Sequence, residues 1–333
     1  MPEVVQFCRK PVPGAFSIER VDRTMRAALP ADIRITVQEN RHPSRGLLPR
    51  LSDAMRAARL AGPVNHVTGD VHYLTFFLPR RRTILTIHDT VLIEREFGAR
   101  RFVLWLLWLW LPHLRSGWIV AISEATRARI RALLHKPDLP VRVIPNPVDP
   151  VFRPLPMPPV EGPFRFLHIG TKPNKNLERT MEALAGLDTE LTVIGTLTPD
   201  QLGLAERLEL RLRTRAALSE TDLLAEYDRA HAVLFVSLAE GFGLPIVEAQ
   251  TVGRPVVTSD RAPMSDVAGG AALLASPEDS GAIRAACVQV MASAALRQRL
   301  VEAGHGNALT FSPAACAAAY AALYREVAGQ SEP

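Results

Sequence analysis

The chain has 333 residues, enough for two domains of ordinary size, and a composition of 47% hydrophobic against 22% charged residues excludes a disordered or low-complexity protein. Its net charge of +5 is unevenly held: residues 1–150 carry 23 Lys+Arg against 13 Asp+Glu, and the remainder 16 against 21. Three scattered cysteines, Cys8, Cys287 and Cys316, exclude a disulfide framework and a C-x-x-C zinc site, and the first residues lack the basic-then-apolar order of a secretory leader, so the cytoplasm is the expected setting.

A basic half suits nucleic acid, anionic lipid or an acidic substrate. No nucleic-acid module and no row of aromatics along a basic face is present, so nucleic acid is not expected and a membrane surface or anionic acceptor is favoured. Val4 to Cys8 reads as a first strand, followed by a Pro-rich loop with a single glycine, Gly14, and by Ser17 as the cap of a helix toward Leu29. Ile33 to Val37 is a second strand, and Arg50 to Leu60 a basic amphipathic helix. Asn65 to Leu74 starts as a strand and is dense in polar groups, among them His66, Asp70 and His72. Thr83 to Ile87 is a buried strand that closes on His88 and Asp89. A lone His is more often structural. Three His and two Asp at successive strand ends are placed where open α/β sheets bind ligands.

Residues 100–118 hold all four tryptophans, and their apolar core, Phe102 to Leu111, is too short for a bilayer, which takes about 20 residues. Two readings stay open. One is a helix buried between domains; the other is a monotopic membrane contact from Arg100 to Trp118, with Trp at the interface and Arg on anionic headgroups. Ile119 to Ile122 is a strand, Ser123 caps the next helix, and prolines from Pro145 to Pro159 mark a linker.

The scheme then restarts. Phe164 to Ile169 is a strand, Gly170 to Asn176 a loop carrying Lys172 and Lys175, and the following helix sets Leu177, Met181 and Leu184 on one face. Leu191 to Ile194 is a strand, and Ser219 caps a helix running to about Ala230. Val233 to Val236 is a buried strand, followed by the turn Glu240-Gly241-Phe242-Gly243 and by Leu244-Pro245, which opens a helix ending at Gly253. Val256 to Thr258 is the next strand. Such a loop brings backbone N–H groups and a helix N-terminus against an anion, usually a phosphate. Glu240 opens it, and Glu248 follows on the helix. Ser312-Pro313 begin a last, Ala-rich helix.

The pattern E-G-F-G-L-P-x-x-E-A from Glu240, followed by G-x-P-V-V from Gly253, resembles the E-x7-E signature of retaining, nucleotide-sugar-dependent glycosyltransferases of family 4. Thr86 to Asp89, Ile144 to Asp149 and Lys175-Asn176-Leu177 are similar to further segments of that family. The resemblance implies the GT-B architecture: two doubly wound, Rossmann-like α/β domains facing across a cleft. Residues 1–150 would bind the acceptor and 151–312 the nucleotide-sugar donor, and 313–333 would cross back as a helix onto the first domain. It implies that His88, with Asp89, approaches the donor sugar, and that Glu240 holds sugar hydroxyls as the catalytic carboxylate. Glu248 would take the ribose hydroxyls. Lys175, Gly170, Gly241, Phe242, Gly243 and Leu244 would cradle the diphosphate. The family's Arg partner to that Lys is missing: Thr171 and Asn174 stand there, and Lys172 is the available substitute. Gly14, and the strand-end groups His66, Asp70 and His72, are expected to meet the acceptor.

The leaving phosphate would serve as base in a front-face reaction. No D-x-D pair is present, so no metal is expected, and no cofactor beyond a UDP-, GDP- or similar sugar donor. The acceptor would be a glycan or a lipid-linked molecule at the inner face of the membrane. Two alternatives stay open: a nucleotide-sugar epimerase on the same fold, with His and Asp transferring protons, and a catalytically inactive binding member.

Overall fold

Short apolar strands alternate with amphipathic helices and build two parallel sheets in the computed structural model, which describes residues 1–11 and 17–329. Gly14 lies outside the described residues. The chain divides into two units, Met1–Pro147 with Pro313–Pro333, and Val148–Ser312.

The first unit holds strands β1 (Glu3–Cys8), β2 (Arg34–Glu39), β3 (Val64–Val67), β4 (Thr83–Ile87), β5 (Trp118–Ala121) and β6 (Val141–Val143), in the order β2-β1-β3-β4-β5-β6. β3 and β4 are buried along their whole length, as expected of central parallel strands covered on both faces. The order reverses between β1 and β3, and the loops leaving such a pair diverge to open a crevice at the strands' carboxyl ends. One face of the sheet is covered by the terminal helix Pro313–Gly329, whose Tyr320, Leu323, Tyr324 and Val327 join Val4, Ile84 and Val120 in one core. Each fully buried apolar side chain of this kind contributes roughly 1.5–3 kcal/mol.

The other face carries the tryptophan-rich stretch. The helix Gly98–Trp105 runs through a π-helical turn, Leu106–Trp110, into Leu111–Arg115. Trp108 is buried against Tyr73 and His72, and the Trp105 indole N–H donates to Leu133 O at 2.7 Å. Trp108 is therefore part of the first unit's core, with Trp105 and Trp110 partly buried against it. Within and just before this stretch the aromatics that face water are Phe97, 80% exposed, and Phe102, 58% exposed. Among the described residues no helix is long and apolar enough to cross a membrane.

The second unit holds β7 (Phe164–Ile169), β8 (Thr189–Ile194), β9 (Arg211–Arg215), β10 (Ala232–Phe235), β11 (Val256–Ser259) and β12 (Leu273–Ala275), in the order β12-β11-β10-β7-β8-β9. Its switch point lies between β7 and β10, neighbours in the sheet that are joined through two intervening strands. β9 carries no strand signal in the sequence. It is an edge strand of alternating Arg with Leu or Thr, so it lacks the apolar run of a central strand. Ser123 accepts from Thr126 N–H, and Ser219 forms a reciprocal capping box with Asp222, as their positions predicted.

Candidate active site

At the second unit's switch point the loops after β7 and β10 touch. Gly170 leaves β7 with φ +97°, and the chain turns through Pro173–Lys175 before the helix Leu177–Leu184. A Cβ on Gly170 would stand 2.8 Å from Lys175 Cγ, so the glycine makes room for the lysine stem. Lys175 Nζ lies 2.7 Å from Glu240 Oε1 and 4.7 Å from the centre of the Phe235 ring. Asn174 ties the two loops together: its Nδ2 donates to Ala239 O at 3.1 Å, and its O accepts Leu238 N–H at 2.8 Å. Asn174 and Thr171, at the positions of the absent Arg, are thus both engaged in loop structure, Thr171 through a 2.8 Å bond to Thr196 O. The Lys172 side chain is exposed.

Gly241, Phe242 and Gly243 lead into the helix Leu244–Val252. Gly243 takes φ +112°, Phe242 packs edge-on against Phe311, and Gly253 ends the helix at φ +85°. Nearly every side chain of this helix is buried, Glu248 included, at 2% exposure. A buried carboxylate needs hydrogen-bond donors, and the Tyr227 hydroxyl donates to Glu248 Oε2 at 2.8 Å. Tyr227 lies on the helix capped by Ser219, and only the fold joins it to Glu248. Lys175 and the positive end of a helix therefore stand on loops in contact, with Glu240 against the lysine and Glu248 buried in the second turn of that helix. That combination can hold an anion together with hydroxyl groups.

In the first unit β4 delivers His88, whose Nε2 is 3.1 Å from Thr68 Oγ1. Thr68, just after β3, donates to Asp22 Oδ1 at 3.2 Å. Asp22 sits on the helix Ser17–Ala27, and with Cys8, Arg9 and Thr68 it lines a cavity of about 240 Å³. Burial, assisted by the neighbouring His72 and Arg9, pushes His88 down to about 4, so the imidazole is neutral at neutral pH. Burial pushes Asp22 up to about 7, with Arg26 and the Thr68 hydrogen bond pulling the other way. Asp22 and Thr68 were not anticipated. The available signal was an acid beside Val21 and Met25 on the buried side of an amphipathic helix.

The other polar residues of these strand ends behave differently. His66 is buried, with Nδ1 2.8 Å from the Tyr324 hydroxyl and Nε2 2.8 Å from Thr86 Oγ1. Both nitrogens are occupied, so His66 ties the terminal helix to the sheet. His72 is also internal, its Nδ1 2.6 Å from Trp108 O. Asp89 is exposed, and its Oδ1 accepts Val91 N–H at 3.0 Å ahead of the short helix Val91–Glu94. Asp70 lies on the surface, 3.9 Å from Arg9 Nη1.

Residues 14–152 match the family described as Glycosyltransferase Family 4, and residues 163–293 match Glycosyl transferases group 1. The chain is 28% identical over 268 residues to the O-antigen chain mannosyltransferase B of Escherichia coli, a match covering 72% of this chain and 70% of that protein. Among solved structures, sucrose-phosphate synthase from Thermosynechococcus elongatus superposes with a TM-score of 0.80 at 16% identity, over 99% of this chain and 100% of that one. The Anabaena HepE protein, in complex with UDP and glucose, gives a TM-score of 0.79 at 16% identity, over 98% of this chain and 100% of that one. These structural likenesses show the GT-B fold. The two family matches, which between them span most of the sequence, lead to one assignment: the chain is a glycosyltransferase, with a Glycosyltransferase Family 4 domain over residues 14–152 and a Glycosyl transferases group 1 domain over residues 163–293.

Proposed function

We propose that the protein transfers a sugar from a nucleoside diphosphate sugar to a glycan or lipid-linked acceptor, with retention of configuration and without a metal ion. The observation that carries this reading is the Lys175–Glu240 contact at the second unit's switch point, beside the N-terminus of the helix Leu244–Val252. As the diphosphate leaves, negative charge grows on its oxygens, and a fixed ammonium with helix N–H groups from Gly243 and Leu244 stabilises it. Exposed Lys172 adds charge where the family's Arg is absent, as a point charge without the directionality of a guanidinium. Glu240 holds sugar hydroxyls and balances charge at the anomeric carbon. Glu248, oriented by Tyr227, receives the ribose hydroxyls.

With the departing phosphate as base, the first unit needs a hydrogen-bond partner for substrate hydroxyls rather than a charged acid, which neutral His88 supplies. Asp89, exposed next to His88, is the further group toward the donor sugar, and Asp70, also at the surface, is available to the acceptor. A hexose donor is supported by the mannosyltransferase relative and by the UDP and glucose in the Anabaena structure. Phe97, Phe102 and Val103 are exposed next to Arg100 and Arg101, which supports a peripheral contact with an anionic membrane surface on the cytoplasmic side.

The test is thermal stabilisation of the purified protein by UDP, GDP, ADP and TDP without metal. A clear shift with one nucleotide, lost in Lys175→Ala and Glu248→Ala, supports the donor site and narrows the sugar. No shift with any of them overturns it. Anomeric configuration of the product, read by NMR, tests retention.

A further inference from the structure

Asp22, Thr68 and His88 come from three separate elements: a helix, the loop after β3 and the end of β4. They form one hydrogen-bonded line, 3.2 Å from Thr68 Oγ1 to Asp22 Oδ1 and 3.1 Å from Thr68 Oγ1 to His88 Nε2. Thr68 has a single proton to give and is buried, so the line has two self-consistent arrangements. When Asp22 is ionised it can only accept; the Thr68 proton points to it, and the Thr68 oxygen accepts Nε2–H from His88. Nδ1 is then left with a lone pair. When Asp22 is protonated it donates to Thr68, the Thr68 proton turns to Nε2, and the imidazole carries its hydrogen on Nδ1.

We infer that Asp22, acting through Thr68, sets which ring nitrogen of His88 carries the proton, and so whether His88 offers a substrate hydroxyl an acceptor or a donor. Asp22 and Thr68 are positioning residues in this scheme. Conversion between the arrangements takes up one proton: it enters at Nδ1, the Nε2 proton passes to Thr68, and the Thr68 proton passes to Asp22. The imidazole is neutral in both end states. The inference rests on the reading of His88 as substrate-facing; the tautomer itself does not.

The surroundings favour a switch near neutrality. Asp22 is faced by Arg26 and Glu19 from its own helix, by Cys8 and Arg9 at the end of β1, and by Tyr320 and Tyr324 from the terminal helix. Burial raises the carboxyl to about 7 against the pull of Arg26. His88 is faced by His72, Arg9 and His66, and at about 4 it stays uncharged while Asp22 titrates.

Long-range proton–nitrogen NMR correlations of His88 in the ligand-free protein read the tautomer directly. The expected result is Nε2–H above neutrality, passing to Nδ1–H with a midpoint near 7. In Asp22→Asn the amide donates to Thr68 permanently, so Nδ1–H is expected throughout. In Thr68→Val the pH-linked exchange should vanish while the spectrum shows an intact fold. A single tautomer in the wild type on both sides of neutrality, or Nε2–H in Asp22→Asn, overturns the inference. Hydrolysis of the nucleotide sugar whose diphosphate stabilises the protein supplies the second readout. Asp22→Asn should flatten the wild-type inflection near pH 7, and His88→Asn should lower turnover at least tenfold. A tautomer that follows Asp22, with His88→Asn fully active, overturns the substrate-facing half alone.

Discussion

Lys175 and Glu240 meet at 2.7 Å across the second unit's switch point, although each follows a different strand and 65 residues separate them. The contact is largely enclosed, and the Phe235 ring lies against the lysine. Lys175 is thereby held as a preorganised cation, with Glu240 fixed beside it. A charge-assisted hydrogen bond to phosphate contributes about 1.5–3 kcal/mol. Lys175→Ala is expected to weaken nucleoside diphosphate binding by about 10- to 100-fold in titration calorimetry. Glu240→Gln should keep that binding and lose turnover. Unchanged affinity in Lys175→Ala would remove this residue from the donor site.

Gly170 connects backbone conformation to the same lysine. An alanine at φ +97° is strained by roughly 1–2 kcal/mol, and its Cβ would collide with the Lys175 stem at 2.8 Å. Gly170→Ala should therefore lower the melting temperature and weaken nucleotide binding together. Gly162→Ala is the control, since its φ is +78° but nothing lies within 4 Å of the added carbon. That variant should lose stability and keep its affinity. Equal affinity in both would show that the stem has room to move.

Tyr227→Phe removes one hydroxyl and leaves Glu248 Oε2 buried without that donor, at a cost of about 1–3 kcal/mol. Chemical denaturation should report the lost stability with an unchanged slope. Nucleotide affinity should fall as well, because Glu248 loses its orientation. A variant as stable as the wild type would mean that Tyr227 does not hold the carboxylate.

Acid stability follows from the buried histidines. Burial lowers His66 to about 3, His88 to about 4 and His168 to about 4, all below the usual 6.5 of an exposed ring. Between those values and 6.5 the unfolded chain binds more protons than the folded one, so stability rises with pH across that window and falls on acidification. Each fully titrating group adds a slope of about 1.4 kcal/mol per pH unit. His66→Gln should flatten the slope seen in denaturation between about pH 4 and 6. An unaltered slope would place the proton uptake elsewhere.

The exposed apolar rim of the first unit separates membrane contact from core packing. Phe97→Ser with Phe102→Ser should reduce co-sedimentation with anionic vesicles and leave the melting temperature nearly unchanged, because both rings are in water. Trp108→Ser should do the reverse, with a stability loss of about 3–5 kcal/mol. Vesicle binding that survives the double Phe variant would rule out this surface.

Much of the architecture was legible in the chain itself. The apolar runs at Thr83–Ile87 and Phe164–Ile169, the caps at Ser123 and Ser219, and the turn from Glu240 into Pro245 are local signals, and local chemistry carries them. The first arginine-rich edge of the second sheet, β9, was not legible, because an edge strand is under no pressure to be apolar. The tryptophans illustrate a subtler limit. Their number near Arg100 is a fact of the sequence, but which rings are buried, as Trp108 is, and which face water, as Phe97 and Phe102 do, is set by packing against the sheet and not by any local pattern.

The sequence by itself determined the alternation of strands and helices, the glycines that permit the turns after β7 and β10, and the residue types available for chemistry. Those depend on neighbours within a few positions along the chain. Only the tertiary structure decided what each polar group meets: Lys175 with Glu240, Tyr227 with Glu248, and Asp22 with Thr68 and His88, against His66 closed between Tyr324 and Thr86. Hydrogen bonds and desolvation act over a few ångströms of space, and strand order, which no local pattern encodes, sets which residues come within that range.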